Sequence, residues 1–245
     1  MFDFTGRAAV VTGAGAGIGA ATARCLHESG ARVVLADISQ DALQSVISTM
    51  QVSDGSAITM RYDCTDSRQS EALVELCIEA FGRLDFAIAC AGLHHTARLE
   101  SIADDDWHRL RAVNYDGVFF LDRSAIRVMG EGSAIVNVAS IAGHRGGTVE
   151  HTHYGATKGG VLALTRGLAR EVWPTIRVNA VSPGPIDTSM MAGWLDKQEG
   201  ENKLVAGVDY GLPSQVASVI AFLCSDAASF VSGESVVVAG THFTA

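Results

Sequence analysis

An apolar run at 8–11 passes through Thr12 into Gly13-Ala14-Gly15-Ala16-Gly17-Ile18-Gly19, and a helical pattern opens directly behind it. No other stretch of the sequence restricts the fold as strongly. Four glycines in seven residues let a strand turn tightly into a helix. They also leave backbone N–H groups free to approach a pyrophosphate held on the positive end of that helix. Two registers of the phosphate-binding fingerprint fit, Gly15-x-Gly17-x-x-Ala20 and Gly13-x-x-x-Gly17-x-Gly19. A strand-to-helix turn is glycine-rich for purely steric reasons as well, so the loop needs a second feature beside it.

Asp37 is that feature. It follows the next β-rich run, 32–36, and stands 18 residues after Gly19. A carboxylate at the end of the second strand accepts hydrogen bonds from an adenosine ribose, and it repels a 2′-phosphate. Ile38 follows rather than an arginine, so NAD is expected and NADP is disfavoured. The plainer reading of Asp37 is a turn residue or helix N-cap.

The rest of the chain repeats one alternation. Strands are expected at 8–12, 32–36, 57–62, 86–90, 134–138, 176–181 and 235–238, with helices at about 17–29, 39–50, 67–82, 104–129, 154–172 and 213–225. The first strands are continuous apolar runs, as in a parallel sheet covered on both faces. No linker or change of composition interrupts the pattern. The expectation is one α/β domain over residues 1–245, a Rossmann-type doubly wound parallel sheet of about seven strands with helices on both faces. With 245 residues and 48% apolar content the chain can bury a core without disulfides. Its five cysteines contain no C-x-x-C pair, which suits a reducing cytoplasm. A net charge of −9 argues against a nucleic-acid surface. Neither a signal peptide nor a membrane span is expected, because no basic start precedes an apolar run and no apolar run is long enough.

At this point the sequence resembles the short-chain dehydrogenase/reductase family over nearly its whole length. The residues that carry the likeness are the Thr12-Gly13-x-x-x-Gly17-Ile18-Gly19 loop, Asp63, Asn114, Ser140, the pair Tyr154-x-x-x-Lys158, and Asn179-x-x-Ser182-Pro183-Gly184-Pro185-Ile186-Asp187-Thr188. The resemblance implies a nicotinamide cofactor touched by Gly13, Gly17, Ile18, Gly19, Asp37, Asp63, Ala91, Gly92, Tyr154, Lys158, Pro183, Gly184, Ile186 and Thr188. It implies that Asn114 holds a water linking Lys158 to solvent, and it implies a homotetramer. Two places depart from the family pattern. Ala89-Cys90-Ala91-Gly92 replaces Asn-Asn-Ala-Gly, which suggests weaker bracing of that loop, and Ala239-Gly240-Thr241 replaces Asp-Gly-Gly.

The residue types suit hydride transfer. Tyr154 and Lys158 at i and i+4 share a helix face, so the ammonium is expected to lower the phenol's pKa from its ordinary value of about 10. Ser140 would hydrogen-bond the substrate oxygen. The leading expectation is therefore an NAD-dependent oxidoreductase that interconverts a secondary alcohol and a ketone, with Tyr154 as general acid/base. The alternatives are an NADPH-dependent 3-oxoacyl-thioester reductase acting on acyl carrier protein, and a non-enzymatic dinucleotide-binding scaffold. Histidines gather near these motifs, and His95, His144 and His151 are the expected contacts to a hydroxylated or carboxylated small-molecule substrate. No spacing puts three metal ligands on one element, so no metal is expected. The irregular stretch 188–212, with Met190, Met191 and Trp194, is expected to form a substrate lid.

Overall fold

The computed structural model describes residues 2–52, 55–191 and 210–243. Seven strands form one parallel sheet: β1 (Ala8–Thr12), β2 (Arg32–Asp37), β3 (Ala57–Arg61), β4 (Phe86–Ala89), β5 (Ser133–Val138), β6 (Ile176–Pro183) and β7 (Ser235–Val238). Their order is β3-β2-β1-β4-β5-β6-β7. The chain therefore winds outward from β1 in one direction, returns, and continues from β4 in the other. Where the direction switches, the strand ends leave a crevice between β1 and β4, and a ligand enters a sheet of this kind there.

Alternation along the strands builds two cores. Ala9 and Val11 of β1 and Val33 and Leu35 of β2 face one layer, where Leu26 of α1 (Gly17–Glu28) meets Ile220 of α8 (Pro213–Cys224). Ala8, Val10, Val34 and Ala36 face the other layer. That layer is formed by α3 (Ser67–Phe81), α5 (Gly117–Ala125) and α7 (Thr152–Val172). Each fully buried Val, Leu or Ile stabilises the fold by about 1.5–3 kcal/mol relative to exposure. α2 (Gln40–Ile47) completes the first layer with Leu43 and Val46.

Two departures from the expected elements bear on function. The single helix expected at 104–129 is α4 (Asp104–Arg111), a π-helical turn over Ala112–Asp116, and then α5. The wider turn swings Asn114 fully into the interior, and turns of this kind recur at functional sites. α6 (Ile141–Arg145) was not expected at all. It is five residues long and is opened by the Ser140 hydroxyl, which accepts a hydrogen bond from the Ala142 amide at 3.1 Å. A period of 3.6 residues cannot announce so short an element.

Candidate active site

The glycine loop is built from three collisions avoided. Gly13 has φ +65°, and a Cβ there would stand 2.8 Å from the Ala91 amide nitrogen. Gly17 has φ +52°, and its Cβ would stand 2.9 Å from Cγ2 of Thr188. A Cβ on Gly19 would run into the Gly13 carbonyl. These contacts favour the register Gly13-x-x-x-Gly17-x-Gly19. Gly15 has no room either, for a different reason: a side chain there would meet Asp37 and Ala42, each at 2.9 Å.

Asp37 sits against the loop. One carboxylate oxygen accepts from the Gly15 amide at 3.0 Å and the other from the Ser39 amide at 3.0 Å. The departure at 89–90 is compensated from β1. The buried Thr12 hydroxyl accepts from the Cys90 and Ala91 amides at 3.2 and 3.3 Å and donates to the Ile88 carbonyl. The loop that was expected to be weakly braced is thus held by one hydroxyl. Across the crevice, Gly184 donates to the Val238 carbonyl at 3.0 Å, and Ala239 packs where a Gly184 side chain would stand. Ile186 is buried and forms a bridge to Gly211, and Thr188 reaches back to Gly17. Asp63, past the end of β3, accepts from the amide and hydroxyl of Thr65 at 2.9 and 2.7 Å. The cradle of Gly13, Gly17 and Gly19, open only because no side chain fills it, fits the pyrophosphate of a dinucleotide.

Lys158, Tyr154, Ser140 and Asn114 converge at the ends of β4 and β5. Lys158 is buried and donates to the Val138 carbonyl at 2.8 Å. Burial pushes its ammonium down to about 8, with the Cys90 and Cys64 sulfurs acting the other way. A Cβ on Gly92 would lie 3.6 Å from the Lys158 ammonium and 3.5 Å from Oδ1 of Asn114, so Gly92 is the floor between them. Asn114 accepts from the Leu93 amide at 2.7 Å and donates to the Leu93 carbonyl at 2.9 Å and to Thr157 at 3.4 Å. Its side chain therefore clamps the loop after β4 to α7. Half-buried Tyr154 stands beside Ser140. Burial raises the phenol above its ordinary value and the Ser140 hydroxyl opposes this. The help expected from Lys158 is thus not what sets the phenol here, because Lys158 is engaged with Val138.

The histidines divide into two places. Nε2 of His94 and Nε2 of His151 lie 3.0 Å apart, and Nδ1 of His95 and Nε2 of His153 lie 3.1 Å apart. The His94 ring stands edge-on to Tyr154 with centroids 5.0 Å apart, and His151 stands 6.4 Å from Tyr154. His144 is elsewhere: its Nε2 meets the Ser182 hydroxyl at 3.0 Å and the Ser235 hydroxyl at 3.3 Å. His94 and His153 were missed as site residues, since doublets in sequence do not show which ring faces the tyrosine. Among the described residues no group of three or more His, Cys, Asp or Glu is placed to hold a metal ion. Trp194 and the centre of the expected lid, 192–209, lie outside the described residues. No described helix is long and apolar enough to cross a membrane.

A glycine cradle and a Ser–Tyr–Lys cluster on a seven-stranded parallel sheet define an oxidoreductase that uses a nicotinamide dinucleotide. The chain belongs to the short-chain dehydrogenase/reductase family; the family model described as enoyl-(acyl carrier protein) reductase matches residues 13–241. It is 36% identical to meso-2,3-butanediol dehydrogenase of Serratia marcescens, over 97% of this chain and 94% of the relative. It is 40% identical to cis-4-hydroxycyclohexanecarboxylate dehydrogenase of Sinomonas cyclohexanicum, over 98% and 97%. The crystal structure of a glucose/ribitol dehydrogenase-type short-chain dehydrogenase/reductase from Brucella melitensis matches with a TM-score of 0.92 and 40% identity, over 100% of this chain and 99% of that one. A short-chain dehydrogenase from Burkholderia cenocepacia, solved in complex with NADP, matches at 0.84 and 30% identity, over 96% and 97%.

Proposed function

We propose that this protein is an NAD-dependent dehydrogenase that interconverts a small secondary alcohol bearing a second polar group with its ketone. The observation that carries the reading is that Lys158 and Asn114 meet at Gly92 while Tyr154, one turn before Lys158 on α7, stands beside Ser140. A bound nicotinamide supplies the hydride acceptor or donor. Ser140 holds the substrate oxygen, and Tyr154 takes its proton during oxidation or returns it during reduction. Lys158, buried beside Gly92, would stabilise the phenolate by its charge and would hold the ribose of a bound nicotinamide dinucleotide; Asn114 holds the loop that floors the site. The choice of NAD rests on Asp37, whose carboxylate faces Gly15 and would repel a 2′-phosphate.

The polar substrate class is supported by the His94–His151 pair at the Tyr154 ring. The butanediol and hydroxycyclohexanecarboxylate relatives act on such molecules by name. A second reading, reduction of an acyl carrier thioester with NADPH, is favoured by the description of the matching family model. Asp37 and the net charge of −9, which would repel an acidic carrier, oppose it. A scaffold role has no feature in its favour. A homotetramer in a reducing cytoplasm fits the family and the five free cysteines, and light scattering checks the assembly.

The test has two arms. Turnover of a panel of diols and hydroxy acids is expected with NAD and not with NADP; preference for NADP defeats the cofactor assignment. Tyr154→Phe is expected to lower kcat at least 10³-fold while dinucleotide binding survives, a loss within the range of general acid–base catalysis. Unchanged turnover defeats the mechanism.

A further inference from the structure

The core layer under α5 and α7 holds an ionisable group that the chemistry above does not use. Asp122 of α5 is 1% exposed, and Oδ2 accepts a hydrogen bond from Nδ2 of Asn137 on β5 at 2.9 Å. Asn137, also fully buried, donates in addition to the Thr165 hydroxyl of α7 at 3.2 Å. Two atoms of this pair are left over. Oδ1 of Asp122 and Oδ1 of Asn137 are both buried without a partner among the described residues. An ionised carboxylate would leave its own second oxygen and the amide oxygen as two buried acceptors lacking a donor, and each carries the full cost of desolvation. One proton remedies both.

We propose that Asp122 is held as a neutral acid in the folded protein, its Oδ1–H donated to Oδ1 of Asn137, so that acid and amide close a cyclic pair that latches β5 to α5 and, through Thr165, to α7. Among the described residues no cation offsets a negative charge there. The facing groups are Asn137 from β5, Thr165 from α7 and the Tyr62 phenol beyond β3, which is itself hydrogen-bonded to Ser70 of α3. An ionised Asp122 would oppose any negative charge on Tyr62. The neighbouring Arg123 guanidinium is turned over Phe119 and Phe120, 5.4 Å from each ring. Burial agrees with the geometry, pushing the Asp122 carboxyl up to about 7.

The latch is a positioning device for the proposed site. Asn137 is the neighbour of Val138, whose carbonyl receives Lys158, and Thr165 lies two turns along α7 from Lys158 on the same face. The proton thus fixes the strand and helix that hold Ser140, Tyr154 and Lys158, and it leaves near neutral pH. The sign follows from proton binding. Between the unfolded carboxyl value of about 4 and the folded value of about 7 the folded state binds more protons, so stability falls as pH rises through that window and levels off above it.

Asp122→Asn separates this reading from its rivals, because its NH₂ group can donate permanently to Oδ1 of Asn137 where the acid needs a proton. Infrared difference spectra of wild type against D122N are expected to show a protonated-carboxyl stretch at pH 5 that titrates away near pH 7. In thermal melts, D122N is expected to match wild type near pH 4 and to exceed it by several degrees at pH 8, whereas Asp122→Ala melts below wild type at pH 4–5. An ionised carboxylate at pH 5, or a D122N protein less stable than wild type across pH 4–8, overturns the proposal. These readouts need no turnover, so the latch and the proposed activity can fail separately.

Discussion

The cofactor cradle and the histidine-lined mouth sit at the same edge of one sheet and are specified in different ways. The cradle is fixed by backbone. Gly13, Gly17 and Gly19 are required because neighbouring main chain or Thr188 occupies the space of a side chain, and Asp37 is placed by the length of β2. The mouth is fixed by rings. His94 meets His151 and His95 meets His153 across 57 and 58 residues of chain, and nothing local dictates which ring pairs with which. A cradle of this kind tolerates little change, whereas a mouth can be rebuilt for another substrate without disturbing the fold.

Lys158→Met should break the comparison most visibly, since Lys158 lies between the two regions and serves both. Turnover is expected to fall at least 10³-fold. Stability at pH 7 is expected to rise by up to about 1.5 kcal/mol, because removing the buried ammonium, worth roughly 3 kcal/mol for its pKa shift, outweighs the lost charged bond to Val138, roughly 1.5–3 kcal/mol. A lysine lowered to about 8 destabilises the fold fully below that pH, and the penalty fades as pH rises toward the unfolded value of about 10.4. Urea melts at pH 7 and pH 10 should therefore show the stability gap narrowing. A variant less stable than wild type at pH 7 would mean that the bond to Val138 outweighs the burial.

The next largest effect belongs to the cradle alone. Gly13→Ala forces a side chain into φ +65° and onto the Ala91 amide, so dinucleotide affinity measured by calorimetry should weaken roughly 100-fold, the equivalent of about 2.7 kcal/mol. Gly6→Ala is the control: its φ is +79°, but nothing lies within 4 Å. That variant should lose about 1–2 kcal/mol of stability and keep its affinity. Equal affinity losses in both would show that strain, and not close approach, sets the cradle.

The same contrast explains what could be read before the structure. The β-rich runs placed all seven strands to within two residues, most plainly β1 and β2, because a strand buried on both faces must be largely apolar. The cradle was legible because glycine spacing encodes backbone geometry directly. Less of the mouth was legible. The break at Ala112–Asp116 has no period of its own, and the bracing of Cys90 and Ala91 by Thr12 joins residues 78 and 79 apart. Likewise His144 lies close to Ser140 in sequence, but its partners Ser182 and Ser235 lie 38 and 91 residues away, and no local pattern shows them.

The smallest effect tests the mouth. His151→Phe keeps a ring beside Tyr154 but removes the nitrogen that meets His94. The KM for a diol or hydroxy acid is expected to rise roughly fivefold, the worth of one hydrogen bond of about 1 kcal/mol. The KM for a simple cyclic alcohol should not change. Burial and the neighbouring His151, His153 and His95 hold His94 below the ordinary imidazole value. His94 is therefore neutral above pH about 6.5 and takes up a proton only as pH falls through its lowered folded value. A protonated His94 is a donor at both ring nitrogens and offers no acceptor. In wild type, the preference for the diol over the simple alcohol should decay on acidification, whereas in His151→Phe it should be low and flat. If both substrates lose KM equally in the variant, the pair is packing for Tyr154, and the mouth is set, like the cradle, by shape.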